Sequence, residues 1–233
     1  MIPSWSHSKL TDFEKCKFLA YLKHDQKIPE PERPLPQGKS EHANDRGSRI
    51  HDAAELFVRG KGPMTSELMK FSPEFDKLRR LFMLGQVELE GEWGMSREWE
   101  IAKWRGAWLR LKLDALVFRN KYEAVAIDYK SGKKFGNEVK HAQQLQLYSL
   151  VTFLRHPKLE EIDTELWYLD VDDITCRHYT RDQALRFKPN YNMRGEALTS
   201  CEKWPPNPNK YTCQWCLYGP EHSGHCKVGV RKA

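Results

Sequence analysis

Residues 109–134, LRLKLDALVFRNKYEAVAIDYKSGKK, decide how this sequence reads. Two runs of period two flank a short polar turn. In the first, Leu109, Leu111 and Leu113 alternate with Arg110, Lys112 and Asp114; in the second, Val125, Ile127 and Tyr129 alternate with Ala126, Asp128 and Lys130. Period two sends neighbours to opposite faces, so both runs predict strands and RNKY predicts the turn of a hairpin. A hairpin centred on Lys121 sets Asp114 opposite Asp128, with Cβ atoms about 5 Å apart, whereas a one-residue slip parts them. Two carboxylates held that close repel unless a cation lies between them, and their hard oxygens suit Mg²⁺ or Mn²⁺. Lys130, on the face of Asp128, brings a positive charge to the same place. Acidic and basic residues alternating on a strand also describe a plain solvated sheet face, so the neighbours of this hairpin matter.

Upstream, apolar spacing behind a cap at Ser8 or Thr11 predicts a helix over 8–23 that contains Cys16, and Pro29, Pro31, Pro34 and Pro36 predict an exposed loop over 26–46. GSRIHDAAELFVRG returns to helical spacing and presents His51 and Glu55 one turn apart. A helix over 73–86 follows, and then a strand over REWEIAKW. Downstream, helical spacing over 138–155 puts Gln144 and Tyr148 one turn apart. Strands over 165–170 and 175–180 lead to a polar helix running into Trp204, ended by Pro205, Pro206 and Pro208. No internal repeat of useful length is present.

At 233 residues, 39% hydrophobic, 12% aromatic and 30% charged, the chain is polar but too aromatic to be disordered as a whole. We expect a single domain, comprising an N-terminal helix and Pro-rich loop (1–46), a core (47–180), and a C-terminal helix with a cysteine cluster (181–233). A net charge of +6 is compatible with a polyanionic partner. The longest apolar stretch, 147–154, is far short of the roughly 20 residues that span a bilayer, and no signal peptide precedes it. A cytoplasmic protein without a membrane partner is the expectation.

Cys213, Cys216 and Cys226 crowd the C-terminal end, with His222 and His225 among them, while Cys16, Cys176 and Cys201 stand apart. Without a secretory signal, such a cluster reads as metal ligation before it reads as disulfides, and C-x-x-C lets two thiolates grip one metal from a tight turn.

Taken in order, SKLTDFEKCKFLAY, GSRIH, LKLDALVF, AIDYKSGKK, HAQQLQLYSL and CQWC resemble the PD-(D/E)XK nucleases. Within them they are similar to the RecB-like branch, which includes the CRISPR adaptation nucleases and the AddB nuclease domain. The resemblance implies an α/β fold, a mixed central sheet flanked by helices, with the N- and C-terminal segments joined by a cysteine metal site. It also implies that His51, Asp114, Asp128 and the Tyr129 carbonyl bind Mg²⁺ or Mn²⁺, that Lys130 orients the attacking water, and that Gln144 and Tyr148 place the DNA strand. Asp128 stands where the family more often has Glu. Glu98 and Glu100 are candidate competing ligands, read as structural by default.

The branch layout would assign Cys16, Cys213, Cys216 and Cys226 to a four-iron, four-sulfur cluster. The long gap before Cys226 leaves open a zinc site that uses His222 or His225. Lys133 and Lys134, with Lys140, His141, Arg46 and Arg49, would form a phosphate-tracking rim, and Trp104 and Trp108 are either base-stacking or core residues. The implied activity is a Mg²⁺- or Mn²⁺-dependent deoxyribonuclease, an exonuclease on single-stranded DNA ends in recombination, repair or mobile-element processing, with a helicase or recombinase partner. A structure-selective endonuclease and a non-catalytic DNA-binding subunit are the alternatives.

Overall fold

The computed structural model describes residues 1–33, 35–132 and 134–230. In chain order the elements are α1 (His7–Lys15), α2 (Lys17–Ala20) running into a π-helical turn (Tyr21–Asp25), α3 (Ala43–Val58), a 3-10 turn (Met69–Phe71), α4 (Ser72–Met83), β1 (Val87–Met95), β2 (Ile101–Ala102), β3 (Leu109–Phe118), β4 (Glu123–Lys130), α5 (Glu138–Arg155), β5 (Glu161–Tyr168), β6 (Asp173–Thr180), α6 (Arg181–Leu185), α7 (Lys188–Thr199) and α8 (Lys210–Cys213). The strands form one sheet in the order β2-β1-β3-β4-β5-β6. Every neighbouring pair is antiparallel except β4 and β5, which run parallel with α5 as the crossover between them. This is the mixed sheet with flanking helices that the motifs imply.

One apolar cluster packs the sheet against α1, α5 and α7, through Leu10, Leu145, Leu147 and Leu198; the other packs it against α3 and α4, through Ile50, Phe57, Phe75 and Leu78. α5 is buried on most of its circumference, from His141 to Phe153, because it packs on β5 and against α6, while the Tyr191 hydroxyl of α7 donates to Gln143 O (2.5 Å). Among the described residues no helix is long and apolar enough to cross a membrane.

The hairpin register is the one read from the sequence: Ala115↔Ile127, Leu116↔Ala126, Val117↔Val125 and Phe118↔Ala124. Asp114 and Asp128 occupy the next position, where the ladder ends and β4 leaves β3. The β1–β3 ladder is interrupted at the same level. Leu89 pairs with Ala115 and Gly91 with Leu113, leaving Glu90 opposite Asp114 outside the ladder.

The facing of both strands slips by one residue there. Leu111 and Leu113 join the cluster on the α5 side and Ala115 and Val117 the other; likewise Trp93 and Met95 lie on the α5 side, and Val87 on the α3 side. The strict alternation expected of residues 109–118 therefore stops at Asp114. Glu90 makes the slip possible by adopting a left-handed backbone, φ +51°, which is rare for a residue with a side chain.

Past the point where β4 departs, the first residues of the chain occupy the vacated edge of β3. Trp5 N donates to Trp108 O (2.7 Å), Arg110 N donates to Trp5 O (2.8 Å), and Trp5 and Leu109 form a parallel bridge. Trp5 is then sealed under α7. A Cβ on Gly195 would fall 2.5 Å from the Trp5 indole nitrogen and 2.8 Å from the Trp108 ring, so only glycine lets that helix approach.

Three expectations are corrected. Cys16 is not inside a helix; it separates α1 from α2 in an extended conformation (φ −162°, ψ 116°). REWEIAKW is mostly a turn closed by Ser96, and only Ile101 and Ala102 pair; the long strand is β1, just upstream, whose glutamates and glycines disguise it. The polar helix stops at Thr199, and the chain reaches Trp204 without regular secondary structure, where that ring packs on Phe13 and Tyr21.

Candidate active site

The break in the ladder opens a cleft of about 1050 Å³, lined from the sheet by Glu90, Arg110, Asp114, Asp128 and Lys130, from α3 by His51, from α5 by Lys140, Gln144 and Tyr148, and from the N-terminal segment by Trp5 to Lys9. Each wall follows from local structure. α3 turns Ile50, Ala54 and Phe57 into the core and so sets His51 at the margin of the buried face, over the sheet. Both aspartates are buried, 7% and 3% exposed, so water does little to offset their charge.

Asp114 accepts from the Tyr129 amide (Oδ2, 2.6 Å), a bond that takes over where the ladder lapses, and its Oδ1 lies 3.0 Å from His51 Nδ1. Asp128 is held from α5: Tyr148 donates its hydroxyl to Oδ1 (2.7 Å) and Gln144 Nε2 donates to the same oxygen (3.1 Å). Lys130 Nζ sits 2.6 Å from Asp128 Oδ2 and donates to Gln144 Oε1 (2.8 Å). Gln144 also donates to the Tyr148 hydroxyl (2.6 Å), which closes the network.

The field of this cleft favours a cation at its centre. Burial, then the charge of Asp128, pushes the Asp114 carboxyl up. Burial pushes Glu90 up to about 7, with Asp114 adding to it. Burial alone would lower His51, yet the hydrogen bond and charge of Asp114, with Asp128 behind, carry it up to about 9. His51, Glu90 and Asp114 each offer a ligand atom, and these lie within 4.8 Å of one another, the one such grouping of three among the described residues. One nitrogen and several carboxylate oxygens form a donor set that fits Mg²⁺ or Mn²⁺.

The structure brings His51, Asp114, Asp128, Tyr129, Lys130, Gln144 and Tyr148 to one cleft and leaves other candidates elsewhere. Glu98 and Glu100 are exposed in the turn after β1 and do not line it. Lys134 pairs with Asp173 beside the Tyr168 ring, and Lys133 lies outside the described residues. Arg46 is bidentate on Asp170 (2.7 and 2.9 Å), and Arg49 is held by Glu41 (2.6 Å) and Glu67 (2.8 Å), so neither arginine forms an open rim. Trp108 is core, donating to Thr199 Oγ1 (3.0 Å), whereas Trp104 lines the cleft with the Arg110 guanidinium 5.5 Å from its ring centroid.

Sequence reasoning missed Glu90, because it assigned no strand before Arg97. The signal was present in Glu88, Glu90 and Glu92 alternating across VELEGEWGM, a half-exposed strand whose register with β3 sets its middle acid against Asp114. It also missed His7. This imidazole is 9% exposed, and burial, then Lys140 and Lys130, push it down to about 4.

At the opposite end of α1, Cys16, Cys213, Cys216 and Cys226 line one small apolar pocket with Leu19, Leu22 and Tyr218. His222 and His225 are exposed and do not line it. Main-chain N–H groups point at two of the sulfurs, Asn207 N to Cys16 Sγ (3.3 Å) and Asn209 N to Cys213 Sγ (3.4 Å). Cys176 is exposed on β6, and Cys201 donates to Lys203 O (3.0 Å).

Several solved structures are distantly similar to this chain. SSO0001 is 15% identical, covering 98% of this chain and 88% of its own, with a TM-score of 0.44. An inferred exonuclease from Eubacterium rectale is 15% identical, covering 99% and 91%, with a TM-score of 0.49. An alkaline exonuclease from Laribacter hongkongensis is 14% identical, covering 85% and 87%, with a TM-score of 0.35. Comparison of the sequence with curated proteins finds no match. The family model of the PD-(D/E)XK nucleases, in contrast, aligns from residue 4 to residue 220, across the sheet and the cleft and over Cys16, Cys213 and Cys216, and ends before Cys226. Nearly the whole chain is accounted for by that match, and it is a member of the PD-(D/E)XK nuclease superfamily.

Proposed function

We propose that this nuclease is a Mg²⁺- or Mn²⁺-dependent exonuclease that hydrolyses phosphodiester bonds at single-stranded DNA ends, in recombination, repair or mobile-element DNA processing. The observation that carries the reading is the Lys130 ammonium, fixed between Asp128 and Gln144 beside the acids that face His51. His51, Asp114 and Asp128, with the Tyr129 carbonyl and Glu90, would hold a divalent ion, whose chemistry when bound would be to polarise a phosphoryl oxygen and offset charge on the leaving oxygen.

The chain's own groups do the rest. Lys130 orients the attacking water and adds positive charge where the phosphorane-like transition state gathers negative charge. Gln144 holds that ammonium by its carbonyl and Asp128 by its amide, so one side chain sets the spacing of both. Tyr148 fixes the remaining freedom of Asp128. Trp104 offers an aromatic face at the cleft wall for an unpaired base, with Arg110 over it. Duplex ends would have to be unwound first, which calls for a helicase or recombinase partner.

The four cysteines are suited to a four-iron, four-sulfur cluster clamping the two ends of the chain. All four line one pocket, the histidines stand outside it, and N–H groups address two sulfurs, a contact that tunes such clusters.

The test is a labelled single-stranded oligodeoxynucleotide incubated with the protein and Mg²⁺, Mn²⁺ or EDTA. Shortening from an end with either metal, none with EDTA, and an intact circular single strand are expected. Cleavage of the circle would replace the exonuclease reading by an endonuclease, and binding without cleavage would make the chain a DNA-binding subunit.

A further inference from the structure

His51 is the one member of the candidate metal set that comes from outside the sheet, so its distance from Asp114 depends on how α3 is held over the strands. From Ile50 onward apolar packing does this, with Ile50, Ala54, Phe57 and Val58 buried. Upstream it does not: no residue from Ala43 to Arg49 is buried, yet Gly47 and Ser48 line the cleft. Helices in proteins owe most of their stability to tertiary packing, so the first two turns of α3 need polar anchors instead.

Asp170 supplies one. Arg46 precedes Ile50 by one turn and so faces the end of the sheet, where its guanidinium is bidentate on Asp170 (2.7 and 2.9 Å), a geometry that fixes direction as well as distance. Asp170 is itself immobilised through the backbone around it. Leu169 N donates to Lys130 O (3.0 Å), Val171 N donates to Tyr168 O (3.1 Å), and Lys70 Nζ donates to Asp170 O (2.9 Å). The residue that grips α3 thus stands one step along the chain from the residue bonded to Lys130. On the neighbouring stripe of α3, Gly47 precedes His51 by one turn and lies against Ser131, where an added Cβ would be 3.3 Å from the hydroxyl oxygen. The other ion pairs of these turns, Arg49 with Glu41 and Glu67, reach loop segments and not the sheet.

We propose that Asp170 is a positioning residue of the active site: gripping Arg46, it latches the first turns of α3 to the end of β5 and so sets how far His51 stands from Asp114 and how tightly the cleft takes a divalent cation. Asp170 does not line the cleft, and it acts through Arg46 and α3. The latch rests on the metal-dependent nuclease reading and adds to it the element that joins the strand bearing Asp128 and Lys130 to the helix bearing His51. An ion pair this exposed contributes little to global stability, so its effect lies in the placement it imposes.

The test is a mutant cycle read on the metal alone. Asp170→Asn, Arg46→Gln and the double variant of the full chain are titrated with Mn²⁺ in the absence of DNA, and the free ion is followed by electron paramagnetic resonance. Each single variant should bind Mn²⁺ about tenfold more weakly, the lower end of what loss of an outer partner costs a metal site. The double variant should match either single one within about twofold, as one shared contact requires. Cleavage of a single-stranded oligonucleotide should need about tenfold more Mg²⁺ for its half-maximal rate. At saturating Mg²⁺ the rate should return to within about threefold of wild type, because His51 once ligating no longer depends on the latch.

Arg97→Gln is the control: it breaks an exposed ion pair with Glu196 on α7, which does not line the cleft, and should leave Mn²⁺ affinity unchanged. Affinity within about twofold of wild type in both single variants, or losses that multiply in the double variant, overturns the latch. So does an equal loss in Arg97→Gln. If Asp170→Asn does not fold, Arg46→Gln decides alone, since its side chain reaches the surface. A wild type that binds Mn²⁺ and cuts while the variants are unaffected removes only the latch, whereas a wild type that neither binds Mn²⁺ nor cuts removes both readings.

Discussion

The hydroxyl of Tyr148 donates to Oδ1 of Asp128 at 2.7 Å while accepting from Gln144 at 2.6 Å. A buried carboxylate is thus held by the crossover helix itself, and the geometry of the cleft depends on how α5 lies over β4. Removing the hydroxyl by Tyr148→Phe leaves that oxygen one partner short. Stability should fall by about 1–3 kcal/mol and apparent metal affinity by about 10- to 100-fold. Denaturant midpoints and metal titrations of cleavage check both.

Lys130→Ala and Asp114→Ala should each abolish metal-dependent cleavage, a loss of at least about 10²–10³-fold, with the fold retained. Circular dichroism and an oligonucleotide assay suffice. Either variant folding and cutting at the wild-type rate would end the assignment of these residues.

Glu90 should show function and stability pulling apart. Its left-handed backbone costs about 1 kcal/mol that glycine does not incur, so Glu90→Gly should stabilise the metal-free protein by about that amount. The same variant removes a carboxylate that faces His51 and Asp114, so it should require more Mg²⁺ for half-maximal cleavage. A Gly variant with lower stability, or an unchanged Mg²⁺ requirement, would contradict this.

Acid should reveal the buried neutral imidazole of His7. Its pKa falls from 6.5 to about 4 in the folded chain, so between those values the unfolded state binds more protons. The contribution of this group is fully present above pH 6.5 and is lost as pH drops toward 4. His7→Phe lacks that loss, and its advantage over wild type in urea midpoint should therefore widen as pH falls through this window. A constant difference from pH 7 to pH 4 would show that His7 titrates normally.

Substituting any of Cys16, Cys213, Cys216 or Cys226 by Ser should bleach the visible absorption of anaerobically purified protein and lower its melting temperature, because the cluster would join the two ends of the chain. A colourless wild type with stoichiometric zinc would overturn the iron assignment.

What the sequence determined by itself was local and periodic. A polar turn centred on Lys121 between the strands of 109–118 and 123–130 specifies the hairpin register, and register alone brings Asp114 level with Asp128. Helical spacing likewise puts Gln144 one turn from Tyr148. Only the tertiary structure decided what happens beyond the last paired residues. Glu90 meets Asp114 because β1 lies on the other edge of β3, and His7 reaches the cleft because the chain's first residues take the edge that β4 gives up. Arg46, Arg49 and Lys134 look like free cations in the sequence, but carboxylates brought to them by the fold neutralise them, those of Arg46 and Lys134 from distant parts of the chain. Pairing between remote segments depends on which edges and charges the folded sheet leaves unsatisfied, and no local period encodes that.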